Sequence, residues 1–558
     1  MELDRRLFIA TMLGALSGCG RGPESVTIPR DLDLGVDAHI HLFNGTDVPV
    51  EGFVKEVIYG DHAQDLPSGL PPESLALLAI KILRSWAPTA RREIEGLPPR
   101  GRESDRIAVE RGFDDFIAAM PQGPTSRMAR AGGARNDALL LQMIREDAGG
   151  PQVSARMAAP QPQMTGRDYA ALIYPDEGTP TMEARRSAGE SPIFAMIKWA
   201  GLLTRRRSDL LDEVIRLYAN PGGRPEGGGG HKLDALIAAM VDLEYWIGTD
   251  EDVAKMSPLS DQLEVMGRLA RRRNDVLLLN FAPFCPLRAV VEGGARAMQL
   301  LEYAVMDQGF AGVKLYPPMG FRPTCNDGIS FGHTRVKTGV TGAMIDAELD
   351  KLYAWCVENE VPVQAHANNS MAAAAGTGGY ASPEYWGLVL DRFPDLRLNL
   401  SHAGIIGGER QVTPPVAECI TGHDYWGDVV ANMTQNRAQV YFDTGYWDEI
   451  GVTHTDVATI KARLQRYDAT YPNFRARMMY GSDWTMIARL PGYQNYLNNM
   501  LRFVDDLFPD TGARNGVMGA NALNFVLGPG QKQARRLNRV FGQHPVWRRI
   551  SAARRGTG

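Results

Sequence analysis

Four histidines and one aspartate stand at the ends of short apolar runs: His39 and His41 in LDLGVDAHIH, His366 in VPVQAH, His402 in LRLNLSH and Asp483 in MMYGSD. Imidazoles with a carboxylate form the ligand set that a borderline divalent ion such as zinc takes, with one position left for water. Such an ion lowers the pKa of its water toward ~7 and polarises a nearby oxygen. A strand that delivers one ligand at its C-terminal tip is how a βα barrel builds an active site, so the spacing points to a metal-dependent enzyme. His39 and His41 are two apart in an extended segment, and alternation sends both side chains to one face. Asp37 shares that face and is read as a buttress of the barrel bottom.

The elements that must carry these residues are legible as eight apolar runs, at 32–41, 233–244, 275–284, 309–317, 361–366, 396–402, 439–445 and 477–483. From the fourth onward each is separated from the next by a segment long enough for a helix. In MIDAELDKLYAWCVENE, Leu349, Leu352, Tyr353 and Cys356 keep helical spacing. Strand and helix in regular alternation predict an α/β fold, a (β/α)₈ TIM barrel made of residues 32–44 and 233–530. Residues 45–232 break the rhythm. Helical segments such as SLALLAIKILRSWA and IFAMIKWAGLLTRRRSDLLDEVIRLY alternate there with Gly/Pro-rich stretches and end in GGRPEGGGGH. Loops that follow barrel strands lie on the active-site face, so this helical insertion after the first strand is expected to be a lid or substrate-shaping cap, or else a separately docked helical domain. Residues 531–558 are expected to be a C-terminal tail.

Composition sets limits on the rest. With 44% hydrophobic and 22% charged residues, the 558-residue chain reads as an ordinary globular protein. A formal net charge of −5 provides no basic field for phosphate backbones, which excludes nucleic acid as the expected partner and leaves a small-molecule substrate. The first nineteen residues differ from the body: Arg5 and Arg6 precede an apolar stretch too short to span a bilayer, and the segment ends in Leu16-Ser17-Gly18-Cys19. This resembles a twin-arginine export signal with a lipobox, which implies lipidation at Cys19, a tether over 20–31, and anchoring to a bacterial membrane on the periplasmic or cell-surface side. Cys285, Cys325, Cys356 and Cys419 form no CxxC pair, so a cysteine zinc site is unsupported; a disulfide involving Cys285 and Cys325 is the lesser expectation beside buried free thiols. His62, His231, His333, His423, His454 and His544 lie outside strand tips and are expected in loops or on the surface.

Taken together, VDAHIHLF, GVKLYP, VPVQAH, LSHAG, YGSDW and VMGANALNFVLG resemble the amidohydrolase superfamily, and more narrowly the branch that holds aminocarboxymuconate-semialdehyde decarboxylase. The resemblance covers roughly 33–44 and 233–528 and omits the insertion. It implies that His39, His41 and His366 are metal ligands, and that Asp483 touches the metal and takes the proton of its water. It implies for His402 a second-metal ligand in two-metal members, or a charge-stabilising or proton-transferring group in one-metal members. Lys314 in GVKLYP stands where two-metal members carry a carboxylated, bridging lysine; uncarboxylated, it would instead contact an anionic substrate. One ion, zinc, is favoured over two.

The function these implications favour is hydrolysis, a metal-activated water attacking a lactone, ester or amide carbonyl, with Asp483 and His402 moving protons. The alternatives are non-oxidative decarboxylation of a carboxylic acid at the same metal, with Lys314 or Arg322 holding a carboxylate, and a non-catalytic binding lipoprotein. Tyr316, Arg322, Asn368, Asn369, Tyr446 and Trp484, just past the strands, are candidate pocket residues.

Overall fold

The computed structural model describes residues 27–30, 32–59, 84, 87–96, 199, 201–219, 232–336, 338–404, 419–420 and 425–556. The export signal, Cys19, most of the tether and most of the 45–232 insertion therefore lie outside the described residues.

Eight parallel strands follow one another in chain order: β1 (Gly35–Ile40), β2 (Leu233–Ala239), β3 (Leu277–Pro283), β4 (Gly312–Leu315), β5 (Val363–His366), β6 (Leu398–Ser401), β7 (Val440–Asp443) and β8 (Met478–Met479). Each falls inside one of the eight apolar runs and is shorter than it. The sheet closes on itself. Ala38 donates to the Tyr480 carbonyl (2.8 Å), Asp483 donates to the His39 carbonyl (2.7 Å), and Ile40 bridges in parallel to Trp484. Every strand residue is buried, as a parallel sheet covered on both faces requires.

Helices cover the outside. They include α1 (Arg207–Val214) before β2, α2 (Leu259–Arg272) before β3, α3 (Gly294–Glu302) before β4, α4 (Gly342–Glu358) before β5, α5 (Pro383–Arg392) before β6, α6 (Trp426–Asn436) before β7 and α7 (Val457–Thr470) before β8. After β8 come α8 (Tyr496–Leu507), α9 (Lys532–Phe541) and α10 (Pro545–Gly556). Helix α4 buries Leu349, Leu352, Tyr353 and Cys356, the stripe read from its periodicity, together with Ile345, and Thr341 caps it by accepting from the Met344 amide. Among the described residues no helix is long and apolar enough to cross a membrane.

The expected tail is structure instead. Leu537 and Phe541 of α9 and Val546, Trp547 and Ile550 of α10 join the core. Gln533 donates to the Ala311 carbonyl (2.5 Å) and Arg549 to Asp234 (2.9 Å), which seals the N-terminal end of the barrel. Arginines dilute the apolar spacing of this stretch, which is why it reads as a tail. His544 is likewise buried rather than exposed, against the Val276 carbonyl (3.2 Å), and His333 is half-buried against that of Met319 (3.1 Å).

The described edges of the insertion return to one another. Gly45 donates to the Leu203 carbonyl (2.8 Å), and fully buried Arg207 pairs with Asp47 and with Glu93 (2.6 Å). Arg84 bonds Asp252 (2.5 Å), fixing another piece to the short helix Asp250–Lys255 that follows β2. All four body cysteines are free thiols: Cys285 and Cys356 are buried, and the neighbour of Cys325 is Cys419 rather than Cys285.

Candidate metal centre

Register places the site. Lys314 pairs with Gln364 and Gln364 with Asn399, while His366 pairs with Ser401, so these polar side chains form inward-facing rows near the C-terminal ends of β4, β5 and β6. A one-residue slip would turn all of them outward. Asp37, His39 and His41 share the inward face of β1 and its extension. Asp37 accepts from the amides of His39 (3.1 Å) and Ser482 (3.0 Å), so it ties strand one to the loop carrying Asp483. Burial pushes its carboxyl up to about 7.

Three of the five expected ligands converge. His39 Nε2 lies 3.7 Å and His41 Nε2 3.1 Å from Asp483 Oδ1. Each imidazole is oriented by its other nitrogen: His41 Nδ1 donates to the Ala239 carbonyl (2.7 Å) and His39 Nδ1 to Asp443 Oδ1 (3.3 Å). These partners accept protons only, so both Nε2 atoms present lone pairs toward Asp483. Asp483 Oδ1 is buried and has no hydrogen-bond donor. Lone pairs that face one another across such distances repel unless a proton or a metal ion stands between them. Tetrahedral bonds of ~2.0–2.1 Å put ligand atoms about 3.3 Å apart, a value that the two distances straddle. The donor set therefore fits a divalent metal.

Electrostatics agree with that fit. Burial, joined by the charge of Lys314, lowers His39 to about 4. Burial also lowers His402, and lowers His366 with the help of His402. Burial alone would raise Asp483, but His39, His41 and His402 hold it well below the usual carboxylate range. Neutral imidazoles and an ionised carboxylate are the protonation states that bind a metal.

His402 and His366 form the next layer. His402 Nδ1 donates to the Gly445 carbonyl (2.7 Å), and its Nε2 faces His366 Nδ1 at 3.1 Å. The His39 and His402 rings are 5.0 Å apart and those of His402 and His366 4.6 Å. His366 is thus brought into the cluster through His402, outside the compact His39–His41–Asp483 group. Lys314 Nζ lies 3.2 Å from His39 Nε2 and 3.5 Å from Ser401 Oγ. Burial lowers its amine to about 8, against the opposite pull of Asp443 and Asp483. It is an internal amine beside the ligand atoms.

The pocket candidates separate. Tyr316 stacks against His366 (4.6 Å between rings), and Asn368 reaches His366 through Ser370 (3.3 Å at each step). Trp484 is fully buried in the barrel seam, beside Ile40. Arg322 is buried over the rings of Tyr380 and Tyr385 and donates to the Cys325 carbonyl (2.8 Å).

Asp443 is the residue whose role sequence reading missed. It lies in the 439–445 run, which the sequence marks only as a strand, yet its carboxylate accepts from His39 Nδ1, from the amides of His402 (3.2 Å) and Gly445 (2.9 Å), and from Gln364 (3.3 Å) and Asn399 (2.7 Å). A second candidate group comprises His39, His402 and Asp443. There the Asp443 oxygens are already taken, which marks this residue as the holder of a ligand rather than a ligand. The backbone carrying these side chains is unusual too, with His402 (φ 67), Ala403 (φ 61), Tyr446 (φ 55) and Asp483 (φ 58) in the left-handed region, where non-glycine residues are strained.

Comparison with known proteins follows this geometry. Residues 262–526 match the family model described as Amidohydrolase. That amidohydrolase match takes in Lys314, His366, His402, Asp443 and Asp483, begins after β2, and so omits the His39–His41 strand, which the fold restores to the site. It supports the superfamily and not its decarboxylase branch. Solved structures similar to this chain include an uncharacterized TIM-barrel protein from Bordetella bronchiseptica (16% identity over 60% of this chain and 83% of that one, TM-score 0.33). Others are an amidohydrolase from Burkholderia multivorans (16%, 53% and 83%, TM-score 0.32) and an IDCase from Metarhizium anisopliae (14%, 57% and 85%, TM-score 0.30). Likenesses this slight carry no argument about chemistry. No curated protein matches the chain.

Proposed function

We propose that this chain is a metal-dependent hydrolase whose substrate presents a lactone, ester or amide carbonyl. The observation that carries this reading is the orphaned, buried Asp483 Oδ1 facing the lone pairs of His39 and His41. A divalent ion, which we propose to be zinc, would be held by these three residues and would supply Lewis acidity and a water of lowered pKa. The commitment of Asp443 to five donors favours one ion over two.

The chain's own groups supply the rest. Asp483 is ionised beside the site and can take a proton from water; its second oxygen need not contact the ion to do so. His402 Nε2 carries a lone pair, because its Nδ1 proton is spent on Gly445, and it can relay a proton toward a leaving group. Non-oxidative decarboxylation is the second reading, favoured by the Lys314 amine 3.2 Å from His39, a buried proton donor on the reacting side. Lipid anchoring at Cys19 remains part of the proposal, tested by whether Cys19→Ala protein leaves the membrane fraction.

The deciding experiment loads purified protein with zinc and measures the carboxylate product of hydrolysis and CO₂ separately across lactones, esters, amides and carboxylic acids. Formation of the carboxylate without CO₂ is expected. Protein that takes up no divalent ion refutes both enzymatic readings, and CO₂ release replaces the first with the second.

A further inference from the structure

We propose that Arg489, with Tyr446 and Tyr316, forms an anion seat at the barrel mouth that selects substrates bearing a carboxylate. The proposal rests on the reading of the neighbouring cluster as a catalytic centre and names a substrate class for it.

Arg489 lies in the short turn Ile487–Arg489, six residues past Asp483. Its Nε donates to the Met486 carbonyl (3.2 Å) and its Nη2 to the Tyr446 hydroxyl (3.0 Å), with the guanidinium 5.4 Å from the centre of the Tyr446 ring. Nη1 donates to no described group, and no described carboxylate pairs with this arginine. Arg288, by comparison, is matched by Asp242, Glu244 and Glu292. A half-buried guanidinium with a spare N–H and no carboxylate beside it has a charge-assisted hydrogen bond to offer a ligand.

The two phenols complete the seat. Tyr446 follows Gly445, whose carbonyl orients His402, so the arginine's partner is one residue from the catalytic cluster. The Tyr446 hydroxyl accepts from Arg489 and keeps its own proton to give. The Tyr316 hydroxyl, on the ring stacked against His366, donates to no described group. Burial first, with the Asp483 charge adding to it, raises both phenols above their usual range, and the Arg489 charge opposes this at both. Tyr446 holds the guanidinium one residue from Gly445, and Tyr316 lies against the His366 ring, so both phenols stand beside the histidine cluster. Two protonated phenols and one free guanidinium N–H suit a carboxylate, whose two oxygens offer about four acceptor sites. The cations suggested by sequence do not serve: Arg322 is engaged with Cys325 and two tyrosine rings, and Lys314 is buried against His39.

The test measures binding of 4-nitrobenzoate against neutral 4-nitrobenzamide by equilibrium dialysis, with zinc-loaded and with chelator-stripped protein. Wild type is expected to prefer the anion by roughly tenfold to a hundredfold in the zinc-loaded form, the range of one charge-assisted hydrogen bond. Arg489→Met abolishes that preference, Arg489→Lys retains part of it, and Tyr446→Phe weakens it. Should Arg489→Met lower the melting temperature, the correctly folded Tyr446→Phe protein decides. Equal binding of the two probes by wild type, or full discrimination by Arg489→Met, overturns the seat. Preference for the anion in a protein that hydrolyses nothing leaves the seat standing and removes the hydrolase reading; hydrolysis without preference does the reverse.

Discussion

Asp443→Asn isolates the holder of the ligand from the ligands themselves. The substitution is nearly isosteric, but it exchanges a charged acceptor of five hydrogen bonds for an amide with one oxygen. Its Oδ1 can keep His39 and the two backbone amides. Its Nδ2 then meets the amide nitrogens of Asn399 and Gln364. Asn399 can flip, since its own oxygen is buried without a partner. Gln364 cannot, because its Nε2 also donates to the Ala38 carbonyl (3.3 Å) and a flip would set oxygen against oxygen. One donor is left unsatisfied, which costs about 1–3 kcal/mol of stability. Loss of the charge also weakens the hold on the His39 Nδ1 proton, and such outer partners typically govern metal affinity or activity by about 10–100-fold. The expected result is a folded protein, less stable in urea by that amount, with zinc affinity down by at least roughly tenfold in a competition titration against a chromophoric chelator. Zinc affinity and turnover within twofold of wild type would refute the assignment, because the orientation of His39 would then not depend on Asp443.

Other expectations follow from the same contacts. Gly445→Ala places a Cβ 2.8 Å from His39 Nδ1 and 2.9 Å from Asp443 Oδ1; it should depress turnover and metal affinity far more than melting temperature. Removing the metal with a chelator and restoring it should raise the melting temperature by several degrees, since an ion at about 1,000 times its Kd adds about 4 kcal/mol; a midpoint indifferent to zinc would count against the three-ligand site. Arg207→Met leaves Asp47 and Glu93 buried without their cation and should destabilise the protein by about 3–5 kcal/mol in thermal or urea unfolding.

How far the sequence was legible depends on how local each signal is. All eight strands were readable because parallel strands buried on both faces are continuous apolar runs, and period and length suffice to find them. His39, His41 and Asp483 were readable because a strand tip in a barrel can point only to the mouth. The role of Asp443 was not, since YFDTG looks like any other strand end; what distinguishes it is the set of donors arriving from β1, β5 and β6, which no single segment encodes. Arg489 had no local signal either, being an arginine in a short turn whose meaning lies in the carboxylate it lacks. The last two helices were hidden by their arginines, whose stems and charges serve the base of the barrel.

The seam between β8 and β1 has a consequence for how the protein matures. His39 and Asp483 stand at opposite ends of the barrel sequence, and they meet only when the last strand docks beside the first. Contacts of such sequence separation form only after a large loss of chain entropy. Ion uptake at full affinity therefore cannot precede ring closure, and a nascent or truncated chain lacking strand eight has no complete site to offer. A bound metal thus certifies that the first and last strands of the barrel have met.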